Sequence, residues 1–160
     1  MHRFKNLPLI TSRVPARPDG LWTLVARDVE GGALLRITAS ADARWSYSDT
    51  NLAICNANGD PRALISRARC LHAEAPVGAL IGKIGGSTAG AADGHIFIVG
   101  TQCTTTVPDA GGPLYLTIND EAGGMDNNAN EMTIKSIEIA QPNEASVTTG
   151  SKPASPDQAV

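Results

Sequence analysis

Apolar positions along this chain fall into short runs rather than long helical stripes. Residues 21 to 28 (LWTLVARD) and 33 to 39 (ALLRITA) read as strands joined at Glu30-Gly31-Gly32. Four more runs follow: GALIGKIGG (78 to 86), HIFIVG (95 to 100), PLYLTI (113 to 118) and EMTIKSIEI (131 to 139). Each is short, rich in β-branched residues and bounded by Gly, Pro or Asx, as strands are. In PLYLTI, Leu114, Leu116 and Ile118 alternate with Tyr115, Thr117 and Asn119. That period of two predicts one face on a core and the other toward solvent. In EMTIKSIEI, Met132 and Ile134 share one phase and Ile137 and Ile139 take the other. A β-bulge between them restores a common face. Strands at this spacing, without alternating long helices, predict an all-β fold, a small jelly roll or antiparallel β-sandwich.

The remaining segments set the expected organisation. Residues 1–19 form a Pro-containing lead-in, with an edge strand expected at Leu7 to Thr11. Residues 20–140 hold the sandwich domain. Within it, residues 42 to 75 are polar and irregular, with a strong turn signal at Asn58-Gly59-Asp60-Pro61 and room for a short helical turn near Pro61 to Arg67. Residues 141–160 have no aromatic residue and are rich in Ser, Thr, Ala and Pro. Such a segment cannot offset its ordering entropy by burial, so a disordered tail or a linker to a further C-terminal module is expected.

Composition narrows the function classes. With 42% hydrophobic but only 4% aromatic residues, the core must be aliphatic. A formal net charge of -3 supplies no global basic field, which argues against nucleic acid as a partner. Arg3, Lys5, Arg13 and Arg17 all precede the first acid, Asp19, and read as a solvated arm. The apolar run Leu7 to Ile10, interrupted by Pro8, is too short for a signal peptide, and no run approaches a membrane span. The expectation is a soluble chain made in the cytoplasm without a Sec signal peptide, with release or an extracellular role left open. The cysteines Cys55, Cys70 and Cys103 are odd in number and widely spaced. Free buried thiols are expected, with a single Cys55–Cys70 bridge as the alternative.

No enzyme signature emerges, and the expected answer is a non-enzyme. There is no Gly-x-Ser-x-Gly elbow. Gly85-Gly86-Ser87-Thr88-Ala89-Gly90 lacks the Lys-Ser/Thr ending of a phosphate loop and reads as a strand connection. His95 opens a strand, with an edge or surface place expected. Cys70-Leu71-His72 has no second pair at zinc-site spacing. Asp120 and Asp126 are a carboxylate pair without a recognisable pocket for acid–base work.

One stretch remains: Asn119 to Asn128, NDEAGGMDNN, directly after the PLYLTI strand. It offers the carboxylates of Asp120, Glu121 and Asp126 and the amide oxygens of Asn127 and Asn128. Calcium takes about 6–8 oxygen ligands of these kinds. Gly123 and Gly124 allow the backbone to turn and aim a carbonyl inward. The EF-hand pattern fails, because Glu131 stands at its glycine and Ile137 at its final glutamate. By composition alone the stretch also reads as a solvated Asx/Gly loop.

The runs PLYLTIND, EAGGMD and NN together resemble the LecA-type (PA-I) calcium-dependent galactose-binding lectin family. There a strand ends in Asn-Asp, and Asn-Asn follows at the spacing seen here. GALIGKIG (78 to 85) and LRITASADARW (35 to 45) resemble two further strands of that family. The resemblance covers about residues 21 to 139. It implies a galactose-binding-domain-like jelly-roll sandwich, often oligomeric, that binds galactosides through sugar hydroxyls coordinated to Ca2+. Carried over, the metal ligands are the carbonyls of Trp45 and Gly124 with the side chains of Asp120, Asn127 and Asn128. The carbohydrate contacts are Trp45, Asp120, Glu121, Gly124 and Asn127, with Tyr47 in place of Trp45 if the register slips by two. Asp120 and Asn127 serve both, one lone pair to calcium and another to a hydroxyl. Glu121 stands where the family has a small apolar residue, and Asp126 where it has Gly. Between Trp45 and Gly78, Asp60 and His72 are candidate sugar contacts, against a plain surface-loop reading. The rival function is a structural or interaction sandwich that keeps the fold and has lost sugar binding. The partners implied are host or microbial glycans, a second copy of the chain and a further C-terminal module.

Overall fold

A computed structural model describes residues 3–141. The expected tail therefore lies outside the described residues, Gln141 excepted. Eleven strands are present in chain order: β1 (Lys5–Asn6), β2 (Arg13–Pro15), β3 (Thr23–Val29), β4 (Leu34–Ala39), β5 (Trp45–Ser46), β6 (Ile54–Cys55), β7 (Leu80–Ile84), β8 (His95–Ile98), β9 (Gln102–Thr106), β10 (Gly112–Ile118) and β11 (Glu131–Ala140). Three single 3₁₀ turns, at Asn51–Ala53, Arg67–Arg69 and Met125–Asn127, are the helical elements among the described residues.

Strands β5 and β6 pair as a separate two-stranded ribbon, and the other nine form two antiparallel sheets packed as a sandwich. One has the order β1-β11-β4-β9, with β2 also paired to β11; the other has the order β3-β10-β7-β8. Between them lie Leu35, Ile37, Met132, Ile134 and Ile137 from the first sheet and Val25, Leu80, Ile84, Leu114, Leu116 and Ile118 from the second, all buried. Burying each such aliphatic side chain contributes about 1.5–3 kcal/mol before the entropy of ordering is subtracted. The turn at Glu30-Gly31-Gly32 carries the chain from one sheet to the other, so β3 and β4 are neighbours in sequence but not in pairing. The bulge expected in β11 is present: its register against β4 shifts between Ile134 and Ser136, and Met132, Ile134, Ile137 and Ile139 are all buried.

Three expectations are corrected. The outer face of β10 does not meet solvent. Tyr115 packs there with Trp22, Ala75, Ala79 and Ile81 in a second, smaller core, covered by the segments around Leu71 and Ala89. That layer also covers Lys83, which is fully buried. Its ammonium donates to the carbonyls of Thr88 and Ala91 at 2.7 and 2.6 Å and faces the rings of Trp22 and Tyr115. The Gly85–Gly90 stretch thus joins β7 to β8 as expected, and its neighbourhood closes over a lysine of its own sheet. Second, the lead-in is not a solvated arm. Its strands lie at Lys5–Asn6 and Arg13–Pro15, flanking residues 7 to 11, and Val14 and Ala16 are fully buried. Third, β9, the run QCTTT, carries no apolar alternation and escaped the pattern; it pairs along β4 from Leu34 to Thr38.

Candidate functional site

The NDEAGGMDNN loop connects β10 to β11 at one end of the sandwich. The polar stretch 45–77 is folded across that same end and tied to it by backbone bonds. Ser46 exchanges both backbone hydrogen bonds with Ala129, Leu71 donates to the Asp120 carbonyl at 3.1 Å, and Gly78 donates to the Asn119 carbonyl at 2.8 Å. The loop thus has a wall of residues distant in sequence, which no spacing rule could reveal.

Asn119 builds that wall. It is fully buried; its Oδ1 accepts from the His72 amide, and its Nδ2 donates to the carbonyls of His72, Ala75 and Pro76 at 2.9 to 3.1 Å. Every polar atom of this side chain is engaged in holding residues 72–76. The Asn-Asp pair therefore divides its work: Asn119 organises the backbone, and Asp120 is left for chemistry.

Asp120 is 1% exposed. Its Oδ1 accepts from the Glu121 amide at 2.7 Å, while its Oδ2 is buried without a partner. Burial pushes this carboxyl above the usual range, and the charge of Glu121 adds to that; the Glu121 amide and the Asn128 side chain act the other way. Asn128 is also buried. Its Nδ2 donates to the Ala16 carbonyl at 2.9 Å, and its Oδ1 has no partner. Among the described residues, four buried side-chain polar atoms lack a partner, and two of them are these acceptor oxygens of one loop. Leaving a buried acceptor unsatisfied costs about 1–3 kcal/mol, more when it is charged. Two such oxygens in one loop suit a cation, and a hard one, because both are oxygen donors. The donor set therefore fits Ca2+. No group of three His, Cys, Asp or Glu side chains is assembled for a metal among the described residues. A site made of one carboxylate, amides and carbonyls is of another composition.

The other expected residues are distributed as follows. Asn127 is exposed, at the end of the 3₁₀ turn that Gly124 caps; Gly124 is half-buried and donates to the Glu121 carbonyl at 3.0 Å. Glu121 is turned toward Arg69, with Oε2 at 2.7 Å from the guanidinium, so its charge already has a partner. Asp126 is exposed, and its carbonyl accepts from Arg17 at 3.2 Å.

Trp45 requires a correction in both expected roles. Its indole is fully buried and donates to the Gly78 carbonyl at 2.7 Å, so no face is open to a sugar. Its backbone is paired with Cys55, whereas the Ser46 backbone faces Ala129. Because successive peptide groups of a strand point to opposite sides, the Trp45 carbonyl is aimed away from the loop. Tyr47, two residues on, lies where the strand has ended. Its hydroxyl donates to Asp60 Oδ2 at 2.8 Å, and desolvation raises its pKa, with smaller contributions from Asp60, Cys55 and Asp120. Asp60 is held below the usual carboxylate range by that hydroxyl and by the Arg62 amide. An open depression of about 510 Å³ runs past Tyr47, Thr50, Asp60, Arg62 and Leu64. His72 is tied through its backbone to Asn119, and its Nδ1 accepts from the Glu74 amide at 3.3 Å.

The thiols of Cys55, Cys70 and Cys103 are free. Desolvation pushes Cys55 up to about 12 and Cys70 up to about 11, which leaves both as inert thiols near neutral pH.

No family model matches the sequence, and none of the curated proteins matches it. Among solved structures, a chain described as "EclA N-terminal domain; PllA-like lectin" superposes with a TM-score of 0.54 at 21% identity. The match covers 83% of this chain and 97% of that one. This chain shares the fold of that lectin domain. At such identity the likeness is one of fold, and it spans almost the whole of the lectin domain rather than a fragment. The β-sandwich read from the strand pattern is thereby matched by a solved lectin-type fold.

Proposed function

We propose that this protein is a calcium-dependent carbohydrate-binding protein of lectin type, which recognises galactose or galactose-like sugars. The observation that carries the reading is the pair of buried, unpartnered oxygens, Asp120 Oδ2 and Asn128 Oδ1. The shared fold with a domain titled a PllA-like lectin supports the carbohydrate half of it. In this reading Asp120, Asn127 and Asn128 hold the ion with their side chains and Gly124 with its carbonyl. The early-strand ligand is assigned to Tyr47 rather than Trp45, because Tyr47, where the strand has ended, lies within reach of the Asp120 charge, while the Trp45 backbone is paired with Cys55. Calcium when bound supplies exchangeable positions that two adjacent sugar hydroxyls fill. Asp120 and Asn127 accept or donate hydrogen bonds at those hydroxyls with their remaining capacity. Glu121, paired to Arg69, is held at the rim, where it borders the sugar. No step of bond making or breaking is involved. Glycans are the proposed partners, with self-association, a further C-terminal module and release from the cell as extensions of the same reading.

Retention on galactosyl resin tests it. Binding is expected in calcium, lost in excess chelator and regained on adding calcium back. Binding undiminished by chelator would sink the calcium reading. A second reading, a sandwich in which calcium only braces the loop, is favoured by one observation, the acidic Glu121 beside Asp120. Calcium uptake by calorimetry with no signal on any glycan array would select it.

A further inference from the structure

The amide of Asn128 has two orientations, and only one leaves its oxygen unpartnered as a candidate ligand. The choice is made by the lead-in. The Ala16 carbonyl accepts from Nδ2 at 2.9 Å inside the protein, both residues being buried. The reverse orientation would set two acceptor oxygens face to face. The same segment grips the loop at two further points. Ala16 donates its amide to the Asn130 carbonyl at 2.9 Å, and Arg17 donates to the Asp126 carbonyl at 3.2 Å. Below these contacts, Arg13, Val14 and Pro15 pair with Thr133, Met132 and Glu131 of β11. The Arg13–Glu131 ion pair lies on the same seam.

We infer that residues 13–17 are a positioning element of the calcium site, with the Ala16 carbonyl orienting Asn128 so that calcium loading and seating of the lead-in on β11 reinforce each other. The inference rests on the calcium reading above. Its physical content is reciprocal coupling: if the seated lead-in presents Asn128 Oδ1 to the ion, the bound ion must hold the lead-in seated by the same factor. Asn128 would touch the ion, and Ala16 acts through it.

The test compares the full chain with and without calcium by amide hydrogen exchange, after calorimetry with calcium alone. Exchange at Ala16 is expected to slow by about tenfold or more on calcium loading, as a coupling of typical size gives. The variant Asn128→Asp separates orientation from charge. A carboxylate is the stronger calcium ligand, but it has no donor for the Ala16 carbonyl. Its calcium affinity is therefore expected to fall, by about tenfold as for other lost supports of metal ligands. Arg17→Ala is expected to weaken calcium binding less, and Arg17→Lys to restore part of the loss. Calcium binding with Ala16 exchange unchanged overturns the inference and leaves the calcium site standing. Tighter calcium binding by Asn128→Asp overturns it as well. Absence of calcium binding to the unaltered chain overturns the calcium reading and the inference with it.

Discussion

Asp120 concentrates the chemistry of the loop in one side chain. With one oxygen satisfied and one not, it is a carboxylate whose ionisation the fold resists in the absence of a cation. The sign of the consequence follows from its raised pKa. Between the unfolded and folded values the native chain holds more protons than the unfolded one, so Asp120 lowers stability as pH rises through that window. Calcium reverses the preference, because the ligand must be ionised. Two outcomes are expected. Calcium affinity falls as pH drops below the raised pKa, with proton release detectable by calorimetry in buffers of different ionisation enthalpy. Asp120→Asn abolishes the calcium response, and it removes this group's share of the destabilisation of metal-free protein at neutral pH, read as a higher denaturation midpoint. The loop was legible in the sequence, since its Asx and Gly content and its resemblance to a lectin family singled it out, but the burial of Asp120 and Asn128 was not. Nor was the role of Asn119. Nothing in its neighbours distinguishes an amide that binds an ion from one that buckles residues 72–76, because its partners are carbonyls more than forty positions away. Trp45 misled for a related reason: an aromatic beside a polar loop reads as a platform until its indole is seen to be enclosed.

At the scale of elements, periodicity located the strands with strong apolar content and missed β9 and the two- and three-residue strands β1, β2, β5 and β6. The β11 bulge was readable because apolar residues that change phase within one strand need an extra residue to stay on one core. The second face of β10 was not. Tyr115 and Thr117 are amphipathic enough to suit either solvent or a cover, and the cover comes from irregular segments without a pattern. Lys83 would be placed outside by any composition rule, yet carbonyls of Thr88 and Ala91 and two aromatic faces replace its hydration. Gly82, between Ile81 and Lys83, shows what this packing demands. A Cβ there would lie 2.5 Å from the Phe97 ring. Gly82→Ala is therefore expected to destabilise the protein by about 1–3 kcal/mol through overpacking, measured by urea denaturation. An unchanged midpoint would mean that β8 yields freely.

For the whole molecule, the sandwich holds two remote segments, the lead-in and residues 45–77, against one end of the β10–β11 connection. A ligand at that end should therefore stabilise the entire fold rather than a single loop. At about a hundredfold excess of calcium over its dissociation constant, linkage adds about 2.7 kcal/mol. The thermal midpoint is expected to rise accordingly, and to stop rising in the Asp120→Asn variant. A calcium-independent midpoint would contradict the site. The fold class was legible because strand spacing and the scarcity of helical stripes are global properties. The ligand wall was not, because it is assembled across the chain.

The seam between the lead-in and β11 has one more consequence. Lys5 stands opposite Ile139, and Pro15 opposite Glu131. The lead-in pairs antiparallel with β11 at both of its ends, so Lys5 and Ile139 lie at the same pole. The NDEAGGMDNN loop precedes Glu131 at the other pole, about 30 Å away at the rise of an extended strand. A tether fused to either side thus leaves the loop facing outward. Copies grafted by either end onto a bead, a particle or a scaffold would all present the same pole to their surroundings, the geometry that lets weak individual contacts add into avidity.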